Sequence, residues 1–318
     1  ALATAAAPGT VNGAHRPTAL ATFVRERLSG SIPPPALVVF DSSDPVYAAP
    51  PAWRVREALL GAESLVSVGP FLDDSSVLAD LILPDHAPLE SWVDVVAESG
   101  AATAVLSVAP PAVRALHSTR ATIDVLLTVS SRLGTAEPWP WATHEEFVAA
   151  AVGVLPAADA NGDSWADATA RGGWWGTLPA RLEQAPIPAA PAPPAARVEP
   201  PSFDGDATRF PFHFLPYVSS AFLDGSLAHL PWLQELPDPL TSAMWSTWVE
   251  INPETAAARG ISDGDVVRIT SPHGALDAAA VLSPGIAPWL IAMPAGQGHG
   301  TFTRYASGRG ANPLALLA

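Results

Sequence analysis

Short apolar runs alternate with polar turns through the first part of the chain. Ala36–Phe40 is an unbroken apolar run that ends in a polar turn, and Ser64–Val68 and Leu81–Leu83 repeat the pattern. Helical periodicity separates these runs at Pro51–Leu60 and, more briefly, at Asp74–Ala79. Continuous apolar strands that alternate with short helices are typical of a parallel sheet covered on both faces. The pattern predicts an α/β doubly wound domain.

Helical signals continue beyond these strands and stop at a proline-rich stretch. Thr119–Leu133 carries an apolar stripe, and Thr143 followed by Glu146 is a capping-box signature. Residues 184–202 contain seven prolines among alanines, a composition that sustains neither a helix nor a central strand. We therefore predict an α/β domain over residues 1–183 and an extended linker over residues 184–202.

After residue 202 the pattern changes to strands and tight turns. Asn252 is a good N-cap for a short helix at Pro253–Arg259. Asp265–Thr270 and Ala275–Leu282 alternate apolar and polar positions on either side of a turn, as in a hairpin, and Trp289–Met293 is a further strand. Residues 203–318 are predicted to form a small β-barrel domain.

Composition excludes several classes of chemistry. The formal charge is −15 and lysine is absent, which argues against nucleic acid as a partner and excludes a P-loop or a Schiff-base lysine. Cysteine is absent too, so this chain supplies no iron–sulfur ligand, thiolate nucleophile or cysteine-based zinc site. No apolar run approaches the ~20 residues that cross a bilayer, so no direct membrane span is expected. Because the chain begins at Ala1 without a leader, we expect a processed or longer polypeptide.

Two groups of motifs carry a family resemblance. The segments 248–256 (WVEINPETA) and 260–267 (GISDGDVV) resemble the dinucleotide-binding barrel of molybdopterin oxidoreductases of the DMSO reductase type. Upstream, Asp80–Pro84 and Leu89-Glu90 resemble the "AD-x-x-LP" element of the preceding α/β domain in that family. The resemblance covers about residues 17–318, the C-terminal half of such a protein, and implies a six- or seven-stranded barrel of the double-psi type.

A second set of motifs narrows the resemblance to one branch of the family. Asp44–Tyr47, Glu90–Trp92, Pro231–Pro239 and Gly308–Pro313 are similar to the molybdopterin-like portion of the large iron–sulfur subunit of alternative complex III. That resemblance implies a scaffold that has lost its molybdenum cofactor and docks an iron–sulfur domain or subunit. It further implies integral membrane quinol-binding subunits and cytochrome c subunits as partners, iron–sulfur clusters and haem in those partners, and association with the periplasmic face of a membrane.

The candidate site residues are those that would meet a pterin dinucleotide. Such a site needs backbone N–H groups and cations for pyrophosphate and a carboxylate for guanine. Glycines and cations meet this need near residues 296–312, and carboxylates near residues 41–44. The candidate or vestigial dinucleotide contacts are Asp41, Asp44, Gly296, Gly298, His299, Arg304, Arg309 and Asn312.

Each part of this prediction has a simpler alternative. Asp41 and Asp44 also fit a capped, solvated turn, and two carboxylates there disfavour phosphate. The glycines of residues 296–300 equally fit a loop that packs against neighbouring protein. Asp73-Asp74 fits a helix start, where the macrodipole stabilises acidic residues. The eight histidines are scattered, so no metal site and no catalytic residue is predicted.

The resulting hypothesis is a structural, cofactor-free part of a membrane-bound quinol-oxidising complex. The tryptophans concentrate near loops, which favours packing at interfaces, and Phe210–Tyr217 and Pro231–Pro239 are the predicted partner-facing surfaces. The alternative is the C-terminal part of an active molybdenum enzyme, such as a polysulfide or tetrathionate reductase, that binds molybdopterin guanine dinucleotide. Whether the chain takes part in catalysis is left open by its sequence.

Overall fold

A computed structural model describes residues 19–96, 104–134, 139–156, 164–176 and 203–318. The described residues between 17 and 82 form one compact unit with those between 200 and 318, here called the terminal unit. Those between 83 and 199 form the other, here called the middle unit. The boundary between the two units at residue 82 falls inside the predicted α/β domain. The extent of that domain stays a prediction. The predicted linker lies outside the described residues.

The first part of the terminal unit is a small parallel sheet. Strands β1 (Val38–Phe40), β2 (Leu65–Ser67) and β3 (Leu81–Ile82) pair in chain order, which confirms the three predicted strands with shorter bounds. Helices α1 (Leu20–Leu28), α2 (Pro45–Ala48) and α3 (Val55–Leu60) accompany it. Their apolar side chains form one buried cluster: Val24, Phe40, Ala49, Val55, Ala58, Leu59 and Leu65. Burial of this cluster holds the carboxyl ends of β1 and β2 in place.

Two of the predicted helices are shorter or interrupted. Pro51–Trp53 is a 3-10 turn, and Arg54 in the left-handed region separates it from α3. Ser76–Leu78 is also a 3-10 turn where the sequence predicted a helix over Asp74–Ala79. Both corrections shorten the elements without moving them.

The second part of the terminal unit is a mixed five-stranded sheet. Its strands are β7 (His213–Val218), β8 (Trp248–Ile251), β9 (Val266–Thr270), β10 (Ala275–Leu282) and β11 (Leu290–Ala295). The order is β7-β11-β8-β10-β9, with parallel pairs β10–β8 and β11–β7 and antiparallel pairs β9–β10 and β8–β11. The predicted hairpin is therefore confirmed. The described sheet has five strands where six or seven were predicted, and the double-psi topology stays a prediction.

Short helices connect these strands. They are α7 (Pro231–Gln234), α8 (Pro253–Ala257) and α9 (Thr303–Ala306), and a 3-10 turn follows at Pro313–Leu316. Asn252 caps α8 as predicted, because its side chain accepts a hydrogen bond from the Glu254 N–H at 3.0 Å. Val249, Ala280 and Met293 lie fully buried at the centre of the sheet.

The middle unit departs from the sequence prediction. Strands β4 (Val93–Val96), β5 (Ala104–Ala109) and β6 (Gly173–Gly176) form an antiparallel sheet with β5 in the centre. Helices α4 (Thr122–Leu133), α5 (His144–Gly153) and α6 (Ser164–Arg171) complete it. The doubly wound expectation is wrong for this region, because both of its strand pairs are antiparallel. The sequence of β6, Gly-Trp-Trp-Gly, carries no strand periodicity and did not predict this strand.

One predicted helix start of the middle unit is confirmed. Thr143 caps α5 by accepting the Glu146 N–H at 3.2 Å.

Within the residues that the structure describes, no helix combines the length and apolar character needed to cross a membrane.

Candidate functional site

The loop that follows β11 meets two loops that follow the parallel strands of the terminal unit. It comprises residues 296–300 (Gly-Gln-Gly-His-Gly), here called the glycine loop. Asp44 lies beyond the end of β1 and Asp74 beyond the end of β2. The carboxyl ends of parallel strands are where ligands commonly bind in α/β sheets. Polar groups converge here, and we take this as the candidate site.

Tyr47 and His299 form the centre of the site. Their rings are stacked, with centroids 3.6 Å apart and an interplanar angle of 10°. The Tyr47 hydroxyl donates to the Gln297 carbonyl at 3.0 Å, and burial raises the pKa of that hydroxyl above its usual value. Phe302 lies on another side of the imidazole, with ring centroids 4.8 Å apart. His299 is thus held in an aromatic and buried environment.

The glycine loop is tied to Asp74 by its backbone. The Asp74 carboxylate accepts the Gly300 N–H at 3.1 Å and the Thr301 N–H at 2.7 Å. The Gly298 N–H donates to the Arg309 carbonyl at 2.8 Å. A carboxylate of this protein therefore occupies the two N–H groups that a bound anion would need.

Position 298 requires a glycine, because the neighbouring backbone leaves no space for a Cβ atom. Its φ is +88°, and a Cβ there would overlap the backbone of Ala311 and Asn312. The Asn312 side chain in turn donates to the Tyr47 carbonyl at 2.9 Å. The glycine thus serves close packing of protein against protein.

Asp44 lies among other acidic groups. Its carboxylate accepts the Ser75 hydroxyl at 2.6 Å, and burial together with the charges of Asp73 and Asp74 raises its pKa to about 6. The Tyr47 N–H also donates to it at 3.3 Å, so Asp44 caps α2. The predicted cap is confirmed at Asp44, but the expected solvation of the turn is wrong there, because the Asp44 side chain is only 15% exposed.

The structure brings together five of the eight predicted site residues. Asp44, Gly296, Gly298, His299 and Asn312 are linked by the contacts around Tyr47 and the glycine loop.

The other three predicted site residues have different surroundings. Asp41 is exposed at the end of β1. Arg304 is exposed, and its guanidinium lies 4.6 Å from the Tyr305 ring centroid. Arg309 lies over Trp245 at 4.5 Å.

Sequence reasoning did not predict Asp74 and Tyr47 as site residues. Asp73 does cap the turn at Ser76–Leu78, accepting the Ser76 N–H at 2.7 Å, as expected for a helix start. Asp74 instead binds a loop more than 220 positions away, and no local signal distinguishes the two. Tyr47 stands in a recognised motif, but its stacking partner is equally distant in the chain.

These residues do not fit a pyrophosphate in the arrangement seen. The Asp74 carboxylate fills the N–H pair, and the space beside Gly298 is filled by backbone. The guanidinium groups of Arg304 and Arg309 lie over the rings of Tyr305 and Trp245, and Arg309 Nε is buried without a hydrogen-bond partner. Three neighbouring carboxylates, Asp44, Asp73 and Asp74, would also repel phosphate.

The terminal unit contains a second concave region, which is mostly apolar. A pocket of about 830 Å³ is lined by Phe210, Phe212 and Phe214 together with Val249 and Ile251 of the mixed sheet. Two of its arginines lie against rings, since the guanidinium of Arg259 is 4.5 Å from the Phe212 ring centroid and that of Arg209 is 5.1 Å from the Phe210 ring centroid. A third arginine of the lining, Arg268, faces Asp277 at 3.7 Å.

The region that contains most of the mixed sheet and the glycine loop matches a known domain family. Residues 235–316 match the family model described as "Molydopterin dinucleotide binding domain". This C-terminal region belongs to that domain family, of the DMSO reductase type. The predicted resemblance to molybdopterin oxidoreductases is confirmed for this region, and the narrower resemblance to alternative complex III stays a prediction.

Individual relatives extend the similarity beyond this region. The chain is 26% identical over 290 residues to the menaquinone reductase molybdopterin-binding-like subunit of Nitratidesulfovibrio vulgaris (strain Hildenborough), covering 90% of this chain and 39% of that protein. It is 36% identical over 106 residues to the molybdopterin-containing subunit of the arsenate respiratory reductase from Shewanella sp. (strain ANA-3), covering 33% of this chain and 12% of that protein. The chain spans about two fifths of the first relative and far less of the second.

A solved structure shares the fold. Acetylene hydratase from Pelobacter acetylenicus superposes with a TM-score of 0.65 at 16% identity, over 95% of this chain and 43% of that one. At this identity the likeness concerns the fold alone.

Proposed function

We propose that this chain is a structural, cofactor-free molybdopterin-oxidoreductase-like portion of a membrane-bound quinol-oxidising electron-transfer complex, similar to alternative complex III. The observation that carries the proposal is the Asp74 carboxylate, which accepts the Gly300 and Thr301 N–H groups. An anionic side chain bonded there competes directly with a phosphate. The chain keeps the family fold while its own residues occupy the expected anion position.

The composition supports a role that depends on partners. Without cysteine the chain supplies no thiolate to a molybdenum ion or an iron–sulfur cluster. Electron transfer through the complex would therefore use clusters and haem held by other domains or subunits. The relative named as a molybdopterin-binding-like subunit of a menaquinone reductase supports a quinone-linked assembly.

Exposed apolar side chains support a partner-facing surface. Trp232 on α7 is 64% exposed and Leu240 is 94% exposed, and Leu236 between them is also exposed. Large apolar groups grouped on a surface are typical of interaction sites. These residues lie in and next to the predicted surface at Pro231–Pro239, and we propose that an iron–sulfur domain docks there.

The exposed apolar residues of strand β7 also support a partner-facing role. Strand β7 is at one edge of the mixed sheet and exposes Leu215 and Val218. Pro216 within it is tolerated because an edge strand does not need every N–H for pairing. We propose that this edge also faces a partner, with the assembly held at the periplasmic side of the membrane by its integral subunits.

Metal and pterin analysis of the purified native assembly tests the proposal. We expect molybdenum by mass spectrometry and pterin by fluorescence of its oxidised form to be far below one per chain. The matched control is an active molybdenum reductase purified and oxidised in the same way. A stoichiometric pterin dinucleotide assigned to this chain would overturn the proposal.

The alternative function is the C-terminal part of an active molybdenum bis-pterin-dinucleotide oxidoreductase. It is favoured by the 36% identity to part of an arsenate respiratory reductase and by the 32% identity over 92 residues to a tetrathionate reductase of Archaeoglobus fulgidus. In that case the Asp74 carboxylate would have to leave the glycine loop when a dinucleotide binds. The same metal analysis separates the two functions.

A further inference from the structure

The ring nitrogens of His299 are in unequal environments. Nε2 lies 3.2 Å from the Gly225 carbonyl, and since a carbonyl only accepts, Nε2 carries the proton and donates. Nδ1 is buried and has no hydrogen-bond partner. The side chain of His299 is 2% exposed, so water does not satisfy this nitrogen from bulk solvent. When Nδ1 carries no proton, its lone pair points into the protein.

Two carboxylates face that lone pair. Nδ1 lies 3.4 Å from Asp74 Oδ2 and 3.8 Å from Asp44 Oδ2. Two carboxylates this close to a buried ring nitrogen are stabilised by a positive charge between them, which a proton on Nδ1 or a bound cation would supply. The oxygen of each carboxylate that faces Nδ1 already accepts one backbone N–H, Asp44 Oδ2 from Asp74 at 3.3 Å and Asp74 Oδ2 from Gly300 at 3.1 Å. A carboxylate oxygen has two lone pairs, so each of these oxygens can still bind a cation.

We propose that Asp44, Asp74 and His299 form a binding site for a divalent transition-metal cation, with Zn²⁺ as the preferred ion. The three donor atoms lie within 4.8 Å of one another. That spacing suits donors arranged around one ion with bonds of about 2.0–2.2 Å. One imidazole and two carboxylates are a donor set that zinc accepts, with an open position for water.

The surroundings of the imidazole match those of a metal ligand. Histidines that bind metals through one nitrogen usually donate the other N–H to a backbone carbonyl or carboxylate, as His299 does to Gly225. Stacking on Tyr47 fixes the plane of the ring. Asp44 and Asp74 have side chains 15% and 18% exposed, which gives an ion and a water molecule access from solvent.

The role that follows is structural. An ion at this position would join the loops after β1 and β2 to the glycine loop after β11, and so bind the parallel and mixed sheets of the terminal unit together. This inference does not depend on the proposed function. A cofactor-free scaffold keeps all three ligands in place, whereas an enzyme in which Asp74 leaves the glycine loop would lose one of them when the dinucleotide binds.

Metal titration of the full 318-residue chain tests the site. After chelation and buffer exchange, calorimetry with Zn²⁺ alone should show one tight site, and mass spectrometry should find one zinc per chain. Variants H299Q and D44N should bind at least about tenfold more weakly. The matched control is H273Q, because His273 lies 2.8 Å from Asp204 in an exposed pair outside the cluster.

A measurement on the unaltered protein covers the case in which a variant does not fold. With ¹⁵N-labelled histidine, Zn²⁺ should shift one Nδ1 resonance while its Nε2 stays protonated. Absence of a tight site, tight binding retained in folded H299Q or D44N, or coordination through Nε2 would each overturn the proposal. Loss of binding in both cluster variants with retention in H273Q, or the Nδ1 signature, supports it.

Discussion

The Tyr47 ring lies parallel to the His299 imidazole, at a centroid distance of 3.6 Å. Tyr47 belongs to α2 and His299 to the loop after β11, so one aromatic contact joins the parallel sheet to the mixed sheet of the terminal unit. Both side chains are buried, and the hydroxyl of Tyr47 is bonded to the same loop at Gln297. The stacked pair of Tyr47 and His299 is therefore part of the buried interior of the terminal unit.

Tyr47 is expected to contribute to stability in two separable ways. Tyr47→Phe removes only the hydrogen bond to Gln297 and should cost about 0.5–1.5 kcal/mol of unfolding free energy. Tyr47→Ala also removes the buried ring and should cost about 3–5 kcal/mol. Urea denaturation followed by tryptophan fluorescence measures both.

Tyr305→Phe is the control for this comparison. Tyr305 receives a hydrogen bond from the exposed Arg304 side chain, and its loss should change stability by less than about 0.5 kcal/mol. Equal costs for the two Tyr→Phe substitutions would contradict the importance assigned to the buried hydroxyl.

Gly298→Ala should destabilise the protein more than a similar change at an open glycine. At Gly298 the new Cβ meets the backbone of Asn312 and Ala311, in addition to the cost of a positive φ. Gly308 has φ +69° and nothing within 4 Å of a Cβ, so Gly308→Ala carries only the conformational cost, about 1–2 kcal/mol. Gly298→Ala should exceed it by about 1–3 kcal/mol in thermal or urea unfolding. If the two cost the same, the loop has room that the structure does not show.

The buried amides of Gln234 and Gln297 should be energetically coupled. Gln297 Nε2 donates to Gln234 Oε1 at 2.7 Å, and both side chains are buried. Gln297→Leu leaves the Gln234 amide without this partner and should cost about 1–3 kcal/mol. In a double-mutant cycle, the Gln234→Leu and Gln297→Leu pair should cost less than the sum of the single changes. Simple additivity would show that the amide pair does not act as a unit.

The middle unit should lose stability in acid through Asp94. A hydrogen bond from His144 holds the pKa of Asp94 below its usual value of 3.8, and Asp94 Oδ1 lies 3.5 Å from His144 Nε2. A lowered pKa in the folded state means that the stabilisation is complete above pH 4 and is lost as pH falls through the folded-state pKa. Asp94→Asn should therefore reduce stability at pH 7 and lessen the decline of stability below pH 4.

The control for the acid prediction is Asp277→Asn. Asp277 faces Arg268 at 3.7 Å on the exposed side of the β9–β10 pair, where solvent screens the interaction. Chemical denaturation at several pH values should give parallel curves for this variant and the wild type. An unchanged acid dependence in Asp94→Asn would show that other carboxylates dominate.

Local patterns were sufficient to predict much of the fold. The apolar runs at β1 and β2, the cap at Asn252 and the β9–β10 hairpin each depend on neighbouring residues, and each was predicted. β6 was not, because Gly-Trp-Trp-Gly becomes a strand only by pairing with β5. The site follows the same rule: Asp44 as a cap was predictable from the turn, whereas the bond of Asp74 to the glycine loop was not.

The hydrogen bonds of Tyr47 also have a consequence for how the protein is made. Its hydroxyl binds a residue 250 positions later, and its carbonyl binds Asn312, 265 positions later. During synthesis the α2 segment leaves the ribosome long before its partners exist, and the closing loop is long. A chain truncated before residue 297 has no ring to cover Tyr47, so its buried face stays open to solvent and to other nascent chains. Synthesis of residues 297–312 is therefore the step that supplies the partners of Tyr47 and covers this face of α2.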